Sequence, residues 1–310
     1  KSGRGLGSLA RGAYRGLSEP FRSRRFADLT KGAELVHFFQ SADAFGYDTL
    51  EPFVRNANGR KVVITIYRVS PIKTEHPEVN SFYNGADAVI VSTDYMRRFL
   101  VNSGVLASKL HVIPYGARLE EPKPVERRGA IMFAGSPLVD VKGFVPLARA
   151  LRMLRDQGVE IPLLLHGYYM PGHKEWAIDV AQKEGINDLI TWLSFTCEDE
   201  LIAAYQASMM CVTPYTDYPG CFPVSVAMGN GTPVVASDAV GIPEYLEGSG
   251  LVVKSGSAEE LAAAMKKMYV DEGLRQKLTR EARAIAERKL AWDVVTRKTL
   301  EVYDSVRGTH

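Results

Sequence analysis

Residues 209–246, MMCVTPYTDYPGCFPVSVAMGNGTPVVASDAVGIPEYL, constrain the fold more than any other stretch of the chain. An apolar run of strand length, Met209–Thr213, leads into a loop of Tyr, Pro and Gly. Pro223 opens a helix of small residues, Gly231 ends it, and a second apolar run follows at Pro233–Ala236. The pattern predicts strand, loop, helix and strand, with a glycine-lined helix N-terminus. In a parallel sheet that loop emerges at the carboxyl edge, where such sheets bind ligands. Amide N–H groups and the positive end of the helix dipole favour a phosphate there. A phosphate-bearing small molecule is the expected ligand.

The same alternation runs through the rest of the chain. Apolar runs of strand length occur at Glu34–Phe39, Lys61–Tyr67, Ala88–Val91 and His111–Pro114. Further runs follow at Ala130–Ala134, Ile161–His166, Leu189–Leu193, Met209–Thr213, Pro233–Ala236 and Leu251–Val253. Helical stripes lie between them. Phe144, Leu147, Leu151 and Leu154 form one, closed by Gly158 as C-cap. Ser257 with Glu260 reads as a capping box, and Thr196 with Asp199 as a related start signal. Strands separated by helices of this length predict α/β architecture with parallel sheets and flanking helices.

At 310 residues the chain has room for two domains. The segment Tyr115–Arg128, YGARLEEPKPVERR, combines Gly, Pro and dense charge without periodicity and reads as an interdomain linker. The expected division is a short or truncated first domain, 1–115, and a second domain, 116–290. A C-terminal helix, 291–310, would carry Trp292, Val295, Val302 and Val306 on one side and pack back toward the first domain.

Composition excludes several classes. No apolar run approaches the ~20 residues that span a bilayer. Cys197, Cys211 and Cys221 are odd in number and lack CxxC spacing, and the histidines form no HxxxH pair, so reduced cytosolic thiols without zinc are expected. Net charge is only +2 but uneven: residues 1–31 hold eight Lys/Arg against Glu19 and Asp28. That segment fits a solvated terminus, or a patch resting on an anionic membrane surface. Nucleic acid is disfavoured, because no basic run is interleaved with aromatics. The chain starts with Lys rather than Met, which suggests a processed, excised or incomplete sequence.

Three further places bear on a ligand. In FAGSPLVDVKGF, residues 133–144, Gly135 permits a tight turn and Lys142 sits before a helix. Its ammonium can meet a diphosphate there; alone it reads as a solvated lysine, and beside the 218–223 loop it reads as a phosphate group's partner. His166-Gly167 ends a strand at the same edge, so His166 contacts a sugar or phosphate or is a satisfied buried histidine. Ser136 and Ser225 either donate to a ligand or cap helices. Cys221 reads as a small loop residue, since nothing marks it as a nucleophile. The opening SGRGLGS has no strand before it and is a weak nucleotide-loop signal.

From about residue 34 onward, the chain resembles retaining glycosyltransferases of the GT-B fold, specifically glycosyltransferase family 4. The blocks FAGSPLVDVKG, LITWLSFTCEDELIAAYQAS, AMGNGTPVVASDAVGIPE and AWDVVTRKTLEVY carry the resemblance. It implies two Rossmann-like domains and a nucleotide-sugar donor held mainly by the second. It also implies metal-independent transfer, without a cofactor, to a glycan or lipid-linked hydroxyl acceptor on the first, at a cytoplasmic site or the inner face of a membrane. Lys142 matches the family lysine, Gly220–Phe222 (with Cys221 between them) the amide-bearing loop, and Leu193–Phe195 the region bordering the nucleobase. Several positions depart from the pattern. The family arginine falls at Ser136, its two glutamates at Tyr218 and Val226, and the first-domain histidine at Tyr67. Asp217 and Arg68 are the neighbouring residues that would substitute. The departures leave two alternatives beside a transferase: a catalytically silent GT-B module serving as a binding or partner subunit, and a sugar-nucleotide epimerase of the same fold.

Overall fold

The computed structural model describes residues 30–40, 54, 57, 59–66, 77–121, 129–135, 141–167, 172–194, 197–217 and 221–308. The basic segment 1–29 and the opening glycines therefore lie outside the described residues. Two compact units are present: one from Lys1–Val91, Arg97–His111 and Glu301–His310, the other from Ser92–Met96 and Val112–Leu300.

In the first unit the strands are β1 (Leu35–Gln40), β2 (Lys61–Ile66), β3 (Ala88–Val91) and β4 (Leu110–Val112), in the order β1-β2-β3-β4. β1 with β2 and β2 with β3 pair in parallel. Val62, Val63, Ile64 and Val89 are almost fully buried, as expected of strands covered on both faces. Helices α1 (Pro77–Gly85) and α2 (Asp94–Asn102) flank β3 in sequence. The start of β2 is pinned by Asp87, whose carboxylate accepts from the Val62 N–H at 2.8 Å and pairs with Lys61 at 3.2 Å. On β1, the His37 ring meets Tyr303 Oη through Nδ1 at 2.6 Å and Thr65 Oγ1 through Nε2 at 2.7 Å.

The second unit holds β5 (Ile131–Ala134), β6 (Leu163–His166), β7 (Ile190–Leu193), β8 (Met210–Thr213), β9 (Val234–Ser237) and β10 (Leu251–Val253). Their order is β10-β9-β8-β5-β6-β7, and every pairing is parallel. This is the doubly wound arrangement, with its switch point between β5 and β8. The helices are α3 (Phe144–Asp156), α4 (His173–Lys183), α5 (Glu198–Ala207), α6 (Phe222–Gly229), α7 (Ile242–Leu246), α8 (Ala258–Val270), α9 (Glu272–Lys289) and α10 (Trp292–Arg307), the last of which belongs to the first unit from Glu301 onward.

Burial alternates along β5. Ile131 and Phe133 join a cluster with Phe144, Leu147 and Leu151 of α3 and Met265 of α8. Met132 and Ala134 face the opposite cluster, with Tyr205 of α5, Val224 and Met228 of α6, and Ile285 of α9. Each fully buried Leu or Phe of this kind contributes about 1.5–3 kcal/mol. α6 is buried from Pro223 to Gly229, so its small residues reflect packing on all sides.

Each apolar run of the sequence is found as a strand, with ends within two residues of those expected; Tyr67 lies outside the described residues. Gly158, φ 76°, follows α3 as expected. Two start signals differ. The forward half of the capping box exists, Glu260 N–H donating to Ser257 Oγ at 3.2 Å, but the Glu260 carboxylate turns to Lys254 N–H at 2.7 Å. α5 begins at Cys197 with no side-chain cap bond, and Thr196 lies outside the described residues. Residues 115–121 are no slack linker. Ala117 N–H donates to the Leu290 carbonyl, and Tyr115 N–H to Tyr245 Oη, both at 2.8 Å. Asn230, 1% exposed, donates to the Arg118 carbonyl and accepts from Glu120 N–H. The charged, aperiodic sequence hides this anchoring because the segment bonds through its own main-chain groups to partners far away in sequence. Residues 122–128 lie outside the described residues.

Burial holds the His37 imidazole down to about 4, against its ordinary 6.5. The folded unit keeps the ring neutral, whereas the unfolded chain takes up a proton below about pH 6.5, so this contribution is present above that pH and is lost as pH falls toward 4. In urea titrations, unfolding free energy is expected to drop by on the order of 1 kcal/mol between pH 6.5 and 4.5, solvent screening included. His37→Gln should flatten that slope.

Candidate functional site

At the switch point the chain leaves β5 through Gly135 and β8 through Pro214-Tyr215, and both return as helices, α3 and α6. The two exits are locked together by backbone. Thr216 and Asp217 N–H groups both donate to the Val141 carbonyl, at 3.0 and 3.3 Å. Gly143, φ 71°, lies so near Pro214 that a Cβ would collide with the Pro214 carbonyl oxygen. Only glycine satisfies both the left-handed backbone and that approach.

Between these two contacts sits Lys142, only 9% exposed. A Cβ on Gly135 (φ 139°) would fall 2.8 Å from Lys142 Nζ, so the ammonium lies directly over the Gly135 backbone. Nζ also lies over the Tyr215 ring, 5.9 Å from its centroid. Gly135 N–H donates to the His166 carbonyl at 2.7 Å, which ties the end of β6 to the same turn. The His166 ring is half-buried, and burial pushes its pKa down against an opposing hydrogen bond with the Leu193 backbone. Gly167 follows at the strand end, partly exposed.

The helix starts reinforce the electrostatics. α4, α5, α7, α8, α9 and α10 each carry an acidic residue in the first turn. α3 and α6, the helices entered from the switch point, carry none, and neither N-cap residue, Gly143 nor Cys221, makes a side-chain cap bond. Among the described residues, no first-turn carboxylate and no side-chain cap compensates the positive ends of these two helices, which start beside a lysine. An anion is what such a place can hold. Glu244, whose charge acts on Cys221, has its oxygens accepting from Asp94 N–H at 2.6 Å and Tyr95 N–H at 2.9 Å within the same unit.

Gly135, Lys142, His166, Gly167, Asp217, Cys221, Phe222 and Ser225 are described, all at the carboxyl edge or in the helix that starts there. Asp217 and Phe222 are exposed, Phe222 by 43% at the first position of α6. Ser225 is fully buried, and its Oγ donates to the Cys221 carbonyl at 3.4 Å, so its hydroxyl serves the first turn of α6. Cys221 is also fully buried; desolvation, with Glu244 nearby, pushes its thiol well up, and burial pushes Cys211 to about 12. Neither provides a thiolate near neutrality. Tyr67, Arg68, Ser136, Phe195, Tyr218 and Gly220 lie outside the described residues. Among the described residues, no cluster of three or more His, Cys, Asp or Glu could hold a metal ion. Sequence reasoning missed Tyr215. No pattern in the sequence marks it, since it lies in the loop after β8 beside Pro214.

The family model described as Glycosyl transferases group 1 matches residues 119–285. The MMP alpha-(1->4)-mannosyltransferase of Mycolicibacterium hassiacum is 27% identical over 224 residues, 70% of this chain and 54% of that protein. The chain spans about half the length of the curated relatives it matches first. Among solved structures, sucrose-phosphate synthase from Thermosynechococcus elongatus aligns with a TM-score of 0.81 at 20% identity, covering 94% of this chain and 78% of that one. Anabaena HepE in complex with UDP aligns at 0.76 and 19% identity, covering 91% and 82%. These structural likenesses establish a GT-B fold.

Two outcomes test the local geometry. Gly143→Ala must relieve a backbone collision in a left-handed turn and is expected to destabilise the second unit by roughly 3 kcal/mol, read as a lowered urea midpoint. With iodoacetamide at pH 8, Cys197, exposed, should alkylate in the native protein, while Cys211 and Cys221 should react only after denaturation.

Proposed function

The chain belongs to the glycosyl transferases group 1 family, whose model covers more than half of it, and on that premise we propose that it moves a sugar from a nucleotide-sugar donor to a hydroxyl acceptor. One observation carries the reading: a buried lysine over a glycine turn, set at a switch point beside two helix N-termini free of first-turn acids. That arrangement suits the diphosphate of a nucleotide-sugar. HepE of Anabaena, a GT-B neighbour, has been crystallised with UDP, and the Mycolicibacterium relative is named a mannosyltransferase, which support the same ligand class.

In the proposed reaction the bond between the anomeric carbon and the diphosphate oxygen breaks, and its electron pair stays on the leaving diphosphate. The Lys142 ammonium and the amides at the starts of α3 and α6 neutralise the charge that grows there, so no metal ion is needed. Donors fixed beforehand at the place where charge develops need no reorganisation during the step. The acceptor hydroxyl, from a glycan or a lipid-linked sugar, gives up its proton as its oxygen bonds to the anomeric carbon. Retention of configuration is what the family resemblance implies. His166 and Phe222 are proposed to border the sugar and nucleotide, with Asp217 and Tyr218 beside them. Tyr67 and Arg68 would face the donor from the acceptor side.

A second reading is favoured by Val226. It stands where the family pattern places the ribose-gripping glutamate and is 3% exposed in the apolar cluster beneath α6. On that reading the chain binds a donor or a partner transferase without turnover.

Calorimetric titration with UDP-, GDP- and ADP-sugars separates the readings. At least one donor is expected to bind, and Lys142→Ala to weaken it by about 10- to 100-fold, the worth of one charge-assisted contact. Absence of binding to every donor, or an affinity indifferent to Lys142→Ala, would overturn the donor site. Binding without product release on any acceptor would favour the second reading.

A further inference from the structure

We propose that Tyr215 is a positioning residue for the Lys142 ammonium: its ring face holds the charge in place for the donor diphosphate, an inference that rests on the donor-site reading above. The ring is itself immobilised. Tyr215 is 1% exposed, and its phenol donates to the Ala134 carbonyl at 3.1 Å, across the switch point from β8 to β5. Its own carbonyl accepts from Ser237 Oγ at 2.5 Å, at the end of β9, and from Ser255 Oγ at 3.3 Å, beyond the end of β10. One side chain thus links the exits of β5 and β8, while its main chain is held from the β9–β10 side.

Lys142 meets this fixed ring under close confinement. Val141 is held by Thr216 and Asp217 N–H groups, Gly143 abuts Pro214, and Nζ lies close to the Gly135 backbone and over the Tyr215 ring at 5.9 Å from its centroid. A lysine side chain otherwise keeps much rotamer freedom, which a ligand must remove on binding. Here that ordering precedes the ligand. Removal of an ammonium from water is also unfavourable, and the negative face of an aromatic ring offsets part of that. A carboxylate in the same position would offset more but would repel the incoming diphosphate. An aromatic partner attracts the cation while carrying no net charge, which is what a phosphate-binding lysine requires.

The test measures affinity for UDP, GDP and ADP by calorimetry on the full chain, with Lys142→Ala as reference. Tyr215→Phe keeps the ring face and should bind within about twofold of the wild type. Tyr215→Leu should weaken binding by about 5- to 20-fold, the range of a largely desolvated cation–π contact. A pentafluorinated phenylalanine at position 215 has nearly the shape of Phe but a reversed ring quadrupole, so it should weaken binding as Leu does and remains informative if the Leu variant does not fold. In a double-mutant cycle, loss of the ring should cost little once Lys142 is already Ala. Sensitivity to Lys142→Ala combined with full affinity in the fluorinated variant would overturn this inference alone. If none of the three nucleotides binds, or if Lys142→Ala changes nothing, the donor-site reading falls and this inference with it.

Discussion

The second unit depends on one close approach of backbone to backbone, where the turn 141–143 lies against residues 214–217. Two amides converge on the Val141 carbonyl and the Pro214 oxygen occupies the space of a side chain at 143. From that contact follow the direction of α3, the burial of Lys142 and the facing of its ammonium toward Tyr215. The result concentrates positive potential. A buried ammonium and two acid-free helix starts repel one another mildly and gain nothing from a neighbouring first-turn carboxylate. For folding alone, an Asp or Glu in the first turn of α3 or α6 would stabilise the helix by about 0.3–1 kcal/mol. Among the described helices, the chain forgoes that at these two and takes it at seven others. Such local surrender of stability is characteristic of a place reserved for a ligand of opposite charge.

Much of the fold was legible because parallel sheets buried on both faces leave continuous apolar runs in the sequence. Ten such runs gave ten strands, with ends displaced by at most two residues. What resisted reading was whatever depends on main-chain partners far away in sequence. Tyr115–Glu121 looks like a charged linker, yet Ala117 N–H bonds to Leu290 and the Glu120 carbonyl accepts from Arg283 at 2.7 Å. Nothing in YGARLEE encodes those partners. The capping box at Ser257 fails in its second half for a local reason: the Lys254 N–H, six residues upstream, takes the Glu260 carboxylate at 2.7 Å.

The site was legible to a different degree. Gly135 and Lys142 stand out because a glycine after a strand and a lysine before a helix are a local arrangement. Ser225 misleads: a serine near a helix start reads as a ligand hydroxyl or a cap, whereas its Oγ bonds back to the Cys221 carbonyl in the same turn, a familiar habit of serine inside helices. Tyr215 was invisible because a tyrosine beside a proline in a loop has no periodicity to mark it. Only the sheet order, which brings the ends of β5 and β8 side by side, reveals that it spans them.

The substitutions at family positions then take on a physical meaning within the proposed function. Ser136 in place of an arginine removes one positive charge, whereas Tyr218 and Val226 in place of two glutamates remove two negative ones. Over these three positions the balance is one unit more positive than the family pattern, and even with it if Asp217 stands in for the first glutamate, so the long-range attraction for a diphosphate does not collapse. What goes is directional: the carboxylates would have paired with hydroxyl groups of the sugar and ribose, and a valine buried in the α6 cluster makes no such bond. Affinity for the phosphates and selectivity among donors therefore rest on separate groups. A site losing hydroxyl-pairing carboxylates while keeping its lysine retains attraction and relaxes discrimination, because specificity comes from polar partners that a wrong ligand leaves unsatisfied. Within the proposed function, discrimination would rest more on shape, and the exposed Phe222 ring at the first position of α6 is the described side chain proposed for it.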